Sequence, residues 1–186
     1  MNEPSFGAEP EEMSKVQDYY RKAHAIIRQS GNECILVMSP GISQQIPPHM
    51  SDFMKGEKNV WHEFHPYYIW GFEGQTENFL IKTAIDYRKN VLSEDKWTGN
   101  PILIGEWCLD GPDSAPFKQP GVTDALVMSA KDKVKAFALA QLDSYEAAKA
   151  GWTFWSWRHD DELSMTSGWS MRQLLRNGDL TLPWTK

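Results

Sequence analysis

The sequence predicts an α/β domain built on a parallel sheet. Four short apolar runs, rich in β-branched and aromatic residues, alternate with segments of helical periodicity. None of the runs alternates cleanly between apolar and polar residues, which suits strands buried on both faces. Three of the four also end in groups able to do chemistry. Those groups would share the carboxyl edge of one sheet, as at the rim of a (β/α) barrel.

The first helix is predicted over residues 12–29, where Val16, Tyr19, Tyr20, Ala23, Ile26 and Ile27 recur at helical spacing and Gly31 supplies a stop. CILVMS at 34–39 reads as the first strand and VWHEFHPY at 60–67 as the second, with a short helix between them. A second long helix is expected over 76–92, with Thr76 as its cap and Phe79, Leu80, Thr83, Ala84, Tyr87 and Val91 on one face. ILIGEW at 102–107 is the third strand, and a Gly-, Pro- and Asp-rich excursion follows it at 109–127. A helix over 129–149 carries Val134, Phe137, Ala138, Gln141, Leu142 and Tyr145. GWTFWSW at 151–157 reads as the fourth strand and 171–175 as a last short helix. With no internal repeat or low-complexity tract, residues 1–186 form one domain.

At 186 residues the chain can bury a sizeable core. Its net charge of −6, with no basic stripe, argues against a nucleic-acid partner. Apolar runs such as CILVM fall far short of the roughly 20 residues a membrane helix needs. No basic segment followed by an apolar core opens the sequence, so no signal peptide is read. Cys34 and Cys108 fit two thiols as well as one disulfide. Nine tryptophans is a high count for this length; most are read as core filling, and the functional use of extra ones is a sugar-binding cleft, where an indole packs on the apolar face of a pyranose.

The strand ends hold the chemistry. His65 and Tyr67 close the second strand, Glu106 and Trp107 the third, and Trp155 and Trp157, then Arg158, His159 and Asp160, the fourth. Glu106 follows ILIG, at the mouth of an apolar strand where an unpaired charge is costly. His62, Glu63 and His65 look like metal ligands, but the HExxH arrangement sets two histidines four apart on a helix. Here they are three apart on a strand and point to opposite faces. His62 is therefore expected outside the sheet and His65 inside, with no metal and no cofactor. HDDE at 159–162 reads as a solvated loop.

In order, NEP at 2–4, HPYYIW at 65–70, IGEW at 104–107, AQLDSYEAAKAGWTFWSW at 140–157 and GWSM at 168–171 together resemble glycoside hydrolase family 5, most closely its exo-β-1,3-glucanase branch. The resemblance spans almost the whole chain. It implies a (β/α)8 TIM barrel of which this chain holds strands five to eight with their helices, MNEP being the end of strand four. The first half of the barrel, with an arginine of its third strand and a histidine near NEP, would lie outside the chain.

The resemblance further implies a retaining hydrolase of β-glucans, with Glu3 as acid/base and Glu106 as nucleophile. Asn2 would bind the sugar 2-hydroxyl, His65 and Tyr67 would orient the carboxylates, and Trp107, Trp155 and Trp157 would bind substrate, Trp155 as the platform. An extracellular or cell-wall location also follows from it. A half barrel exposes sheet edges and an apolar inner face, so a second copy or the missing half is the expected partner. A carboxyl this near a chain end is expected to be loosely held, which points to weak turnover, or to a non-catalytic half barrel that binds glucan or self-associates.

Overall fold

The computed structural model describes residues 1–5, 10–45, 47–112, 130–158 and 168–182. Three parallel strands, β1 (Leu36–Met38), β2 (Val60–Phe64) and β3 (Ile102–Ile104), form a sheet in sequence order. The α-helices are α1 (Pro10–Gln29), α2 (Glu77–Tyr87), α3 (Ala130–Tyr145) and α4 (Met171–Asn177). Short 3₁₀ turns occupy Ile42–Gln44 and Pro47–Met50, and a π turn at Arg88–Leu92 extends α2. The expected α/β architecture with a parallel sheet is what the chain forms.

The strands bury one face more than the other. In β2, Val60, His62 and Phe64 are essentially inaccessible, whereas Trp61 and Glu63 between them are partly exposed. The register pairs Val37 with Trp61 and Glu63 with Leu103, so these four share the open face. A parallel sheet ordinarily has both faces covered. The opposite face joins one apolar cluster with Leu80, Ala84, Phe137 and Tyr145. Period-two alternation thus sorts β2: His62 goes to the helical side, and Glu63 and His65 to the other.

Local signals explain the helix ends. The Thr76 hydroxyl accepts from the Phe79 amide, as its place before α2 predicts. Gly31, at φ +79, turns the chain out of α1, and Gly178, at φ +70, lets its amide reach the Leu174 and Leu175 carbonyls behind α4. The stripe expected on α3 is entirely buried. That of α1 is not: Val16 and Tyr20 are buried, but Tyr19 and Ile26 are 52% and 67% exposed. Phe79 on α2 is exposed too. Periodicity gives the apolar face of a helix but not how much of it a neighbour covers.

The fourth strand is a correction. Residues 151–157 make one parallel bridge, Ile104 to Trp152, and no ladder. Beyond it the backbone bonds elsewhere: the Trp155 amide reaches the Trp107 carbonyl, the Ser156 amide the Trp169 carbonyl, and the Ser156 and Trp157 carbonyls accept from Met171 and Arg172. The segment is committed to the loop after β3 and to the start of α4. The expected excursion at 109–127 falls mostly outside the described residues, as does HDDE at 159–162, with His159 and Asp160. Cys34 is exposed and Cys108 buried, and both are free thiols.

His62 stacks on Phe53 and meets Trp97 edge-on, the packed position expected of it. Burial pushes its pKa down from 6.5 to about 4, against a small opposing effect of the Phe53 carbonyl. Between those values the unfolded chain takes up a proton that the folded chain does not. The stability is present above pH 6.5 and lost as pH falls toward 4, by about 3 kcal/mol in all. Urea unfolding from neutral pH to about pH 4 is expected to show that loss, and His62→Leu to flatten this part of the profile.

Candidate active site

The open end of the sheet bears a cleft of about 670 Å³, the size of an ordinary small-ligand site. Six stretches of the chain reach it. Residues 1–5 enter from the amino terminus, the segment after β1 brings Ile42, Ser43 and Gln45, and β2 delivers His65, Tyr67 and Trp70. Glu106 follows β3, and Trp155 and Trp169 close the wall.

Its centre is His65, whose side chain is 1% exposed. The ring Nδ1 lies 2.6 Å from Glu3 Oε1 and 3.7 Å from Glu106 Oε2. Burial alone would lower the imidazole's pKa; the nearby Glu63 carboxylate, the Glu3 hydrogen bond and the Glu106 charge outweigh it, and the net direction is up. The backbone amide of His65 donates to Gln45 Oε1 at 2.9 Å, fixing the strand end to the 3₁₀ turn after β1. Gly105, beside His65, has no room for a side chain. A Cβ there would stand 2.6 Å from Glu63 Oε2 and 2.9 Å from His65 Nε2.

Glu106 is held at both oxygens. Tyr67 donates its phenol to Oε2 at 2.8 Å and Asn2 its amide to Oε1 at 3.3 Å. Burial, then the hydrogen bond and charge of Glu106, push the Tyr67 phenol far above its usual range, so it remains a donor. Asn2, expected to meet a sugar 2-hydroxyl, thus bonds the carboxylate, with a second amide N–H left over.

Glu3 is better anchored than its sequence position suggests. It adopts φ +38, a left-handed conformation that costs a residue with a side chain roughly 1–2 kcal/mol and persists only where surroundings enforce it. The Pro4 carbonyl accepts from the Ile42 amide at 3.1 Å, and the Met1 carbonyl from the Tyr20 phenol at 3.1 Å. The one phenol proton is shared between that carbonyl and the nearer Ser39 carbonyl at 2.8 Å, and the phenol oxygen accepts from the Ser39 amide at 3.1 Å, linking α1, the end of β1 and the terminal segment. Burial pushes that phenol up to about 12, which keeps it protonated at working pH.

One oxygen of Glu3, a nitrogen of His65 and one oxygen of Glu106 all lie within 4.8 Å of one another. Such a triplet has the donor set for a metal ion. Here, however, the same atoms already exchange hydrogen bonds with one another and with Asn2 and Tyr67. The arrangement can hold a proton on one carboxyl and present the other to an electrophile.

Of the residues predicted to bind, the structure gathers Asn2, Glu3, His65, Tyr67, Glu106 and Trp155 around this cleft. Trp107 is a correction: it is fully buried, edge-on to Tyr145, Trp152 and Phe154, and belongs to the core. The alternation that turns Glu106 toward the cleft turns its neighbour away. Trp157 is another correction, being 60% exposed and outside the cleft lining, because its carbonyl is tied to the start of α4. The residue reading missed Gln45, Trp70 and Trp169. Trp70 and Trp169 lay within the recognised HPYYIW and GWSM stretches, whereas nothing local marks Gln45.

Fold and site together define a carboxylate-paired cleft at the carboxyl edge of a parallel sheet. The chain matches the cellulase family (glycosyl hydrolase family 5) over residues 1–161 and belongs to it. It is 25% identical over 196 residues to the probable glucan 1,3-beta-glucosidase A of Aspergillus terreus, covering 91% of this chain and 45% of the relative. With the probable glucan 1,3-beta-glucosidase A of Aspergillus fumigatus it shares 27% over 219 residues, covering 100% and 48%. The chain therefore spans about half the length of these curated relatives. Its fold is similar to that of the rutinosidase from Aspergillus niger, with a TM-score of 0.67, 13% identity and coverage of 93% of this chain and 44% of that one. A family 5 glycoside hydrolase of Prevotella bryantii, solved with a xyloglucan tetradecasaccharide, gives a TM-score of 0.60 at 14% identity, over 96% and 52%. Among the described residues, no helix is long and apolar enough to cross a membrane.

Removing the Tyr20 hydroxyl should loosen the terminal segment. Tyr20→Phe is expected to speed amide exchange at Ile42, the donor to Pro4, by roughly 2–12-fold, the equivalent of one hydrogen bond, as read by hydrogen–deuterium exchange.

Proposed function

We propose that this chain forms the carboxyl-terminal half of a retaining β-glucan hydrolase of the glucan 1,3-β-glucosidase type, with β1–β3 as strands five to seven of a (β/α) barrel and residues 151–157, joined to β3 by one bridge, in the place of strand eight. The observation that carries the reading is the Glu3–His65–Glu106 cluster, with facing oxygens within 4.8 Å. Retaining glycosidases set their two carboxyl groups about 5–5.5 Å apart, whereas inverting enzymes leave roughly 6.5–9.5 Å for a water.

In the first step a Glu106 oxygen bonds to the anomeric carbon as the glycosidic C–O bond breaks, and Glu3 gives its proton to the departing oxygen. In the second, Glu3 takes a proton from water, whose oxygen bonds to the anomeric carbon and releases the Glu106 carboxylate. Tyr67 and Asn2 keep the attacking oxygens aimed, and the exposed indole of Trp155 offers a flat apolar platform to the ring. A β-glucan substrate follows from the relatives' names, and an extracellular or cell-wall location accords with such a polymer. No cofactor enters this chemistry.

The partly exposed sheet face carrying Val37, Trp61 and Leu103 favours a second component. Turnover by this chain alone is weak in this reading, and a second copy or a polypeptide supplying the other half of the barrel covers that face. The same observation supports the alternative of a non-catalytic half barrel that binds glucan or self-associates. Intact-mass analysis after incubation with a 2-deoxy-2-fluoro-β-glucoside separates the two. The hydrolase reading expects a covalent adduct on Glu106 that Glu106→Gln abolishes together with turnover. Activity retained by Glu106→Gln would refute the assignment.

A further inference from the structure

Glu63 has no part in the chemistry above, yet it faces the group at its centre. It shares the open sheet face with His65 two residues on, and its side chain is 15% exposed. Its Oε2 lies 3.9 Å from His65 Nε2, an ion-pair distance longer than a hydrogen bond. Among the described residues, no Lys or Arg pairs with Glu63, and Nε2 is buried without a hydrogen-bond partner. The absence of a side chain at Gly105 is what lets the two approach.

We propose that Glu63 is a positioning residue that keeps a proton on His65 Nε2, so that the Nδ1–Glu3 hydrogen bond carries the proton delivered in the acid step. The inference rests on the reading of Glu3 as acid/base. An imidazole whose Nε2 is protonated leaves Nδ1 and Glu3 Oε1, 2.6 Å apart, to share one further proton. Whether that proton sits on nitrogen or oxygen, the pair is loaded. Were Nε2 bare, the neutral ring would keep its one proton on Nδ1 and Glu3 would be left without one. The Glu63 charge favours the doubly protonated pair and so raises the pH at which the acid proton is lost. The charged and titratable groups facing His65 are Glu63 on its own strand, Glu3 of the terminal segment, Glu106 after β3 and the Tyr67 phenol; Tyr20 of α1 lies near Glu63.

The test reads the ring directly and needs no substrate. Ring ¹⁵N shifts of His65 in the full chain, assigned by their loss in His65→Gln, are followed from about pH 4 to 9. Nε2 is expected to be protonated at neutral pH. Glu63→Gln, which keeps shape and removes charge, is expected to lower the midpoint for loss of the second proton by about 1–3 pH units, and Glu63→Asp to restore part of it. A bare Nε2 at neutral pH in the unsubstituted chain overturns the proposal, and that reading stands even if Glu63→Gln does not fold. So does an unchanged midpoint in a Glu63→Gln protein with native circular dichroism. Hydrolysis of an aryl β-glucoside is measured alongside. The shift with neither turnover nor a fluoroglucoside adduct on Glu106 leaves Glu63's effect on His65 standing and counts against the hydrolase reading, whereas turnover or adduct without the shift removes this inference alone.

Discussion

The buried imidazole of His65 is the constraint around which the other site residues are arranged. It stands within 2.6 Å of one carboxylate and 3.7 Å of another, and these come from the amino-terminal segment and from the end of β3. Carboxylates this close repel unless something between them compensates, and a hydrogen-bonded, readily charged ring does so. The supports around it follow. Gln45 fixes its backbone, Gly105 leaves it space, Tyr67 and Asn2 hold Glu106, and Tyr20 with Ile42 holds the segment bearing Glu3.

The sheet makes this possible by its pleat. Because alternate residues of β2 face opposite ways, one strand supplies both a core element, His62, and a site element, His65. The core side is anchored by α2 and α3, whose buried residues continue toward the site. Tyr145 donates to Gln141, whose amide donates to the carbonyl of Cys108, two residues past Glu106. The helix layer therefore sets the position of the loop that carries one carboxylate.

Much of this was legible in the sequence because the signals are local. Thr76 before an amphipathic run, Gly31 after one, and ILIG before a carboxyl each specify a local feature through well-understood chemistry. The site residues at strand ends were legible for the same reason, since a parallel strand in an α/β fold delivers its last residues to one edge. What failed depends on partners distant in sequence. GWTFWSW has the composition of a strand, but its backbone groups are taken by Trp107, Trp169 and the first turn of α4. Trp107 and Trp155 look alike in sequence, and only the arrangement around them makes one core and the other cleft wall. Gln45 carries no local mark, because its role exists only once His65 is beside it.

The central claim is that Glu3 and Glu106 address one sugar from opposite sides of its anomeric carbon. Azide rescue tests this most directly, because the configuration of the product reports which side has been vacated. With an activated β-glucoside and azide, Glu106→Ala is expected to give the α-glucosyl azide and Glu3→Ala the β-glucosyl azide. The same anomer from both variants would contradict the account.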